Sequence, residues 1–426
     1  MMDKPIRSLI ETVQLRKDIC VVFEMSHRPR LRSLSQEEAT ADVFDDAATV
    51  QELINLAHDV YIPVTSMLKK LVMRNTGVKI GFAASGSCLS DLKASAPAVI
   101  DAWRGLTEMD VIEWLAIPYN NSLSLLFSDE AFREEVTRGD DLVYEYFGVQ
   151  PNTLLGSPVS DSSISRLATA MGFKALVQKV KVPIDSKVPV ESIVLDENDL
   201  INVSIDHVIR DTIVHRFGAG DAAISIEEFI AMINRVSGDT VVVGLPIEVF
   251  KWHRDAGILQ FFESFLSIAA GQNRLVSISQ QIADVTEEYR HHNSPLSNSI
   301  ASDHSPWLGN DIQRQAFMAA KDLDEPTAHL ADPAARRALM KLLNVHHFIN
   351  MSHSLAGLDN QYLSPQEAFA CYMGALESLK RFLNNSVVRE DDKGAKSMEA
   401  ERQHPTTPAW ALNEQSRYKE NTHSHI

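Results

Sequence analysis

Cysteine is scarce in this sequence: three residues, Cys20, Cys88 and Cys371, stand far apart in the chain. An odd number of widely spaced thiols excludes a disulfide framework and has no zinc-ligand spacing, so they read as buried free thiols in a reducing compartment. Long apolar runs are also missing. Nothing approaches the roughly 18 residues of a membrane span, and the opening MMDKPIRSLIETVQLRKD has no apolar signal core. The expected protein is therefore soluble and cytoplasmic, with no membrane partner. Basic charge is in deficit, with 40 Lys and Arg against 57 Asp and Glu for a net −17. Such a surface repels phosphate backbones, and the one basic cluster, RPRLR from Arg28 to Arg32, is short. Nucleic acid is not an expected partner. Eighteen Gly and 17 Pro in 426 residues lie below collagen or linker levels.

What is present is enough apolar residue, 45% of the chain, to bury a large core. The most informative stretch is Thr240–His253, TVVVGLPIEVFKWH. A β-branched run breaks at Gly244-Leu245-Pro246, after which Glu248 and Phe250 alternate. This pattern predicts a buried strand arriving at a rim, where the next side chains face a cavity. A strand ending this way is where a barrel enzyme keeps its chemistry.

Other strand candidates are DICVVFEMSH (18–27), VKIGFAASG (78–86), VIEWLAIP (111–118), TLLGSP (153–158), KALVQ (174–178) and residues 199–204. Helical patterns separate them, over 49–74 with an interruption at Pro63, and over 129–147, 161–171 and 225–236. Alternation at this spacing predicts an α/β fold with a mainly parallel sheet closed, or nearly closed, into a barrel. From 257 to 385 the pattern is helical throughout, with Asp332-Pro333 and Ser364-Pro365 as helix starts. Four segments follow: an N-terminal extension (1–17), a barrel (18–256), a helical region packed on it (257–385), and a tail (386–426) expected to be disordered from its charge and low apolar content.

Several local motifs carry little. Gly218-Ala219-Gly220 lacks the third glycine of a dinucleotide loop and reads as a turn. His291-His292 and His346-His347 are adjacent pairs whose rings diverge on a helix, so no metal site is expected. Asp161-Ser162-Ser163 has the composition of a helix N-cap. No Gly-x-Ser-x-Gly elbow is present. No cofactor is implied.

The more meaningful constellation is spread along the chain. His27-Arg28-Pro29 follows the first strand, Tyr119-Asn120-Asn121-Ser122-Leu123 the third, and Glu248-Val249-Phe250 the last. Asp303-His304-Ser305-Pro306-Trp307-Leu308-Gly309-Asn310 opens the helical region. A barrel would bring these to one face, where Trp307, Trp252 and Tyr119 are candidate sugar-stacking surfaces and, for each alone, also candidates for core packing. In this order and spacing, with HHFINMS and SPQEAFACYMGALESL further on, the chain resembles the α-amylase-like members of glycoside hydrolase family 57 over roughly residues 18–385.

The resemblance implies an incomplete seven-stranded (β/α) TIM-like barrel with an appended helical region, acting on α-glucans by a retaining mechanism. That mechanism needs a carboxylate nucleophile and a carboxylic acid about 5–5.5 Å apart. The family nucleophile, a Glu after the fourth strand, falls on Pro158. The family acid, an Asp two residues before a retained Glu, falls on Pro246, and the retained Glu on Glu248. The family His of the third-strand loop matches Asn121, a nearby Glu matches Ile117, and the Gln after His27 is Arg28. Proline has neither a titratable group nor a nucleophile. The resemblance thus implies a catalytically silent barrel that binds an α-glucan or maltooligosaccharide, or that pairs with an active glycosidase. Its implied substrate contacts are His27, Tyr119, Asn121, Glu248, Trp252, Asp303, Trp307 and Asn310. Two alternatives stay open: an active hydrolase or transglycosylase using a displaced carboxylate such as Asp161, and a protein-interaction scaffold that binds no sugar.

Overall fold

The computed structural model describes residues 14–156, 162–179, 193–196, 198–218, 224–283, 285, 305–330, 332–352 and 361–403. Pro158, Asp161 and Asp303 lie outside them. Eight strands form one sheet: β1 (Asp18–Met25), β2 (Ile80–Ala84), β3 (Ile112–Trp114), β4 (Thr153–Leu155), β5 (Ala175–Lys179), β6 (Ile193–Leu195), β7 (Ile201–Ile205) and β8 (Thr240–Pro246). The order is β3-β2-β1-β8-β7-β5-β4, with every neighbouring pair parallel. The two edges meet at Ala116, whose N–H donates to the Thr153 carbonyl and whose carbonyl accepts from the Leu155 N–H, both at 2.9 Å. Seven parallel strands therefore make a nearly closed barrel, as the strand–helix alternation predicts. Strand β6, a three-residue addition, pairs antiparallel on the outside of β7.

Alternation along each strand separates two faces. Outward residues such as Val21, Phe23, Phe82 and Val243 pack under the surrounding helices. Inward residues form a small separate cluster that includes Cys20, Val22, Ala83, Leu115, Leu155, Val177, Val203, Ile205 and Val242. The floor is stopped by a short helix, Ile278–Ile282, whose Ile278 and Ile282 join that inner cluster. Glu113 fixes this stopper by accepting from the Ile278 and Ser279 N–H groups, each at 2.8 Å.

The interruption expected at Pro63 takes the form of a π-helical turn, Ala57–Tyr61, leading into helix Ile62–Arg74 with Pro63 in its first turn. Proline has no N–H for the Asp59 carbonyl four residues back; Arg254 donates to that carbonyl at 3.2 Å instead. The starts at Asp332 and Ser364 hold: Asp332 accepts from the Ala334 and Ala335 N–H groups, and Ser364 accepts from Glu367 N–H.

The helical region forms its own core with the outer faces of β4 and β5, through Leu154, Leu176, Leu339, Phe348 and Tyr372. Its last helix, Pro365–Gln403, runs past residue 386, where the sequence places the start of the tail. Residues 389–403, REDDKGAKSMEAERQ, are rich in good helix formers, and their low apolar content was no bar to a helix. Residues 404–426 lie outside the described ones. Among the described residues, no helix is long and apolar enough to cross a membrane.

Candidate functional site

Parallel strands point their C-terminal ends at one rim, and there the polar residues collect. His27, two residues past β1, is buried; its Nε2 lies 2.8 Å from Asp91 Oδ2, and its Nδ1 3.5 Å from Ser87 Oγ. Asp91 and Ser87 belong to helix Gly86–Ser95, capped by Ser85 directly after β2. Glu248, at the start of the short helix Val249–Trp252 after β8, is 5% exposed. His27 and Glu248 line a narrow cleft of about 20 Å³ with Arg28, Thr49, Glu52 and Lys251. Two of the residues marked in the sequence are therefore brought together.

The third-strand loop is held differently. Asn121 takes a left-handed backbone, φ 48°, and its side-chain amide donates to Ser26 Oγ at 3.1 Å. Ser26 in turn lies 3.1 Å from His346 Nε2, which the helical region delivers to the rim. Burial first, then the positive charge of Arg28, keeps the His346 pKa well below its usual range, so its imidazole is neutral at neutral pH. Beside Asn121, the buried Glu135 carboxylate accepts from the Asn120 N–H and side-chain amide, both at 2.8 Å, and from Ser122 at 3.2 Å. Burial nonetheless pushes its carboxyl up to about 7. Asn344 donates to the Asn120 carbonyl at 2.6 Å, and Leu123 N–H to the Leu343 carbonyl at 2.9 Å. The loop thus clamps the helical region onto the barrel.

Tyr119 lies with the Arg138 guanidinium carbon 3.6 Å from its ring centre. Its ring also covers Gly86, where a Cβ would stand 2.3 Å from the ring, so only glycine allows this approach. Both contacts occupy ring surface that a stacked sugar would need. Asn310 is a helix cap: its side chain accepts from Gln313 N–H in a capping box and donates to the Met351 carbonyl at 2.8 Å. The Asn-x-x-Gln spacing carries that signature. Trp252 and Trp307 are half-buried against the two large cores, and each has a buried indole Nε1 with no hydrogen-bond partner.

A second rim cluster escaped the sequence reading. Glu24 follows Cys20 and Val22 on the inward face of β1 and accepts from Lys179 Nζ at 2.9 Å and Arg210 Nη1 at 3.1 Å. Lys179 ends the inward face of β5, and Arg210 lies on the helix after β7. Burial alone would raise the Glu24 carboxyl, but the two cations outweigh it and hold it below its ordinary value. Burial and then Arg210 lower the Lys179 ammonium. In the β1–β8 register, Glu24 stands beside Pro246. No sequence signal marks this cluster, because its members are more than 30 residues apart and meet only through barrel closure.

A parallel barrel with its polar side chains on the C-terminal rim defines a barrel of the enzyme type. Within that class, the chain belongs to glycosyl hydrolase family 57, whose family model matches residues 22–295. A Methanocaldococcus jannaschii protein named "Putative alpha-amylase" is 21% identical, over 90% of this chain and 88% of its own. Among solved structures, the GH57-type branching enzyme of Pyrococcus horikoshii is similar at TM-score 0.55 and 13% identity, over 87% of this chain and 88% of that one. The 4-alpha-glucanotransferase of Thermococcus litoralis is similar at TM-score 0.54 and 12% identity over 78% of this chain, which spans 56% of that enzyme. At such identities the structures establish the shared fold.

Proposed function

We propose that this chain is an α-glucan-binding member of its family that does not cleave glycosidic bonds. The observation that carries the reading is Pro246. It ends β8 directly beside inward-facing Glu24, where the family resemblance puts the acid. A retaining glycosidase needs one carboxyl that can be protonated and one that is ionised, about 5–5.5 Å apart. Of the described carboxylates on this rim, Glu24 is tied to two cations and Glu248 lies buried in the side cleft. His27, Arg28 and Glu248 are the hydrogen-bonding groups nearest to a neutral hydroxyl at this rim. Maltooligosaccharides are the expected ligands, and an active glycosidase is a fitting partner.

Incubating purified protein with maltoheptaose and amylose, with product analysis and calorimetry, tests the proposal. Binding heat with no products is expected. Turnover abolished by Asp161→Asn would instead identify an active enzyme with a displaced carboxylate. The covered ring of Tyr119 and the capping role of Asn310 favour one other reading, a scaffold that binds no sugar. Absence of heat at millimolar maltoheptaose would select it.

A further inference from the structure

The barrel order places β1 and β5 on opposite sides of the mouth: β8 and β7 separate them one way round, β2, β3 and β4 the other. A direct bond between Glu24 and Lys179 therefore spans the opening instead of following its wall. Arg210 braces that span, since its Nη1 donates both to Glu24 and, at 2.6 Å, to the Gly244 carbonyl on β8. The lumen below is filled. A Cβ at Gly244 would stand 2.5 Å from Ile205 Cδ1, so the isoleucine side chain takes that space, and Ile278 with Ile282 stops the floor.

We infer that Glu24, Lys179 and Arg210 form an ionic bar across the barrel mouth that excludes a glucan ring from it and leaves a ligand only the outer rim. The ligand half of this inference rests on the glucan-binding reading; the bar itself does not. A sugar ring entering the mouth must part these charges and offer only neutral hydroxyls in exchange. Separating a partly buried ion pair without replacing either charge is unfavourable, though less so than for a fully buried one. The bar is thus an obstacle to cleavage separate from the loss of the acid at Pro246. The three residues set where the ligand lies without touching it.

Two measurements on the full chain test this. The first is calorimetry with maltoheptaose, comparing wild type with the Glu24→Ala/Lys179→Ala double variant. Opening the mouth adds a ring position, so affinity is expected to rise at least tenfold. Unchanged or weaker binding means that the ring gains nothing there or already rests on these side chains, and overturns the inference. Should the alanine pair not fold, the volume-conserving Glu24→Gln/Lys179→Met pair takes its place. The second is a double-mutant cycle on urea midpoints for Glu24→Gln, Lys179→Met and both together. The double variant is expected to fall no further than the worse single one. Additive midpoints would show that no bar exists, whatever glucan does. If neither protein gives heat with maltoheptaose, the glucan reading fails and the ligand half fails with it, while coupled midpoints still establish the bar.

Discussion

Glu24 on β1 and Lys179 on β5 meet at 2.9 Å although two strands stand between theirs in the sheet. The contact lies at the level where β8 ends in Pro246. One rim therefore holds two different environments, an ion cluster over the lumen and a polar cleft beside it at His27 and Glu248. These environments should respond separately to mutation, salt and pH.

Glu24→Gln should destabilise the fold by about 1–3 kcal/mol, because it leaves Lys179 and Arg210 beside a neutral amide. The value sits below that of a fully buried pair, since Lys179 is 35% exposed and solvent screens it. Arg210→Met should cost less, as Lys179 still pairs with Glu24. Urea unfolding of the two variants gives the comparison. Repeating it at about 0.5 M salt should shrink the Glu24→Gln effect by less than half, because partly buried pairs are screened less than surface ones.

Much of the barrel was legible because parallel strands buried on both faces leave β-branched runs such as CVVF and TVVV. Strand β6 was not, being three residues that pair antiparallel outside the barrel, with no period to read. The last helix runs on through residues 386–403, where helix propensity is high and apolar content low. At the site, His27 and Glu248 were found from their strand-end positions, whereas Glu24, Lys179 and Arg210 meet only through closure. Asn310 carries a legible cap signature in its Asn-x-x-Gln spacing.

Glu135 and Asp140 should each add stability as pH falls from about 8 toward 5, against the opposite contribution of the buried imidazoles of His346 and His347, whose pKa values burial lowers. Burial raises the Glu135 carboxyl from 4.5 to about 7, and the Asp140 carboxyl, on the same helix, from 3.8 to about 7. A carboxyl with a raised folded-state pKa binds its proton more tightly when folded. Its stabilisation is complete below the unfolded value and lost as pH rises through about 7. The difference in unfolding free energy between wild type and Glu135→Gln, taken across pH 5 to 8, should show this negative slope. A slope of the opposite sign would mean that the three donors around Glu135 outweigh its burial.

Asn344→Ala should loosen the joint between barrel and helical region. The side chain caps helix Val345–Ile349 by accepting from His346 N–H, and it also donates to the Asn120 carbonyl. Losing a cap and leaving a buried carbonyl unpaired should together cost about 2–3 kcal/mol. Hydrogen exchange should show the loss first at residues 118–124 and 342–347, with the strands β1 and β8 unaffected. A uniform rise in exchange would place the joint within the global unfolding unit instead.

Asp91→Asn separates a binding role for His27 from a packing role. Asp91 stands 2.8 Å from His27 Nε2 and is 36% exposed, while the imidazole itself is 4% exposed. Because the aspartate is partly in water, its neutral replacement should change stability by less than about 1 kcal/mol. The negative charge beside Nε2 does, however, favour a proton on that nitrogen, and so bears on what His27 can offer to a hydroxyl in the cleft. An asparagine can present either its oxygen or its amide there and holds the tautomer less firmly. Maltoheptaose affinity should therefore fall about tenfold in Asp91→Asn with the urea midpoint nearly unchanged, and His27→Gln should lose at least as much. If affinity stays at the wild-type level in both variants, the ligand does not use this cleft, and the two side chains serve only to join β1 to the helix after β2.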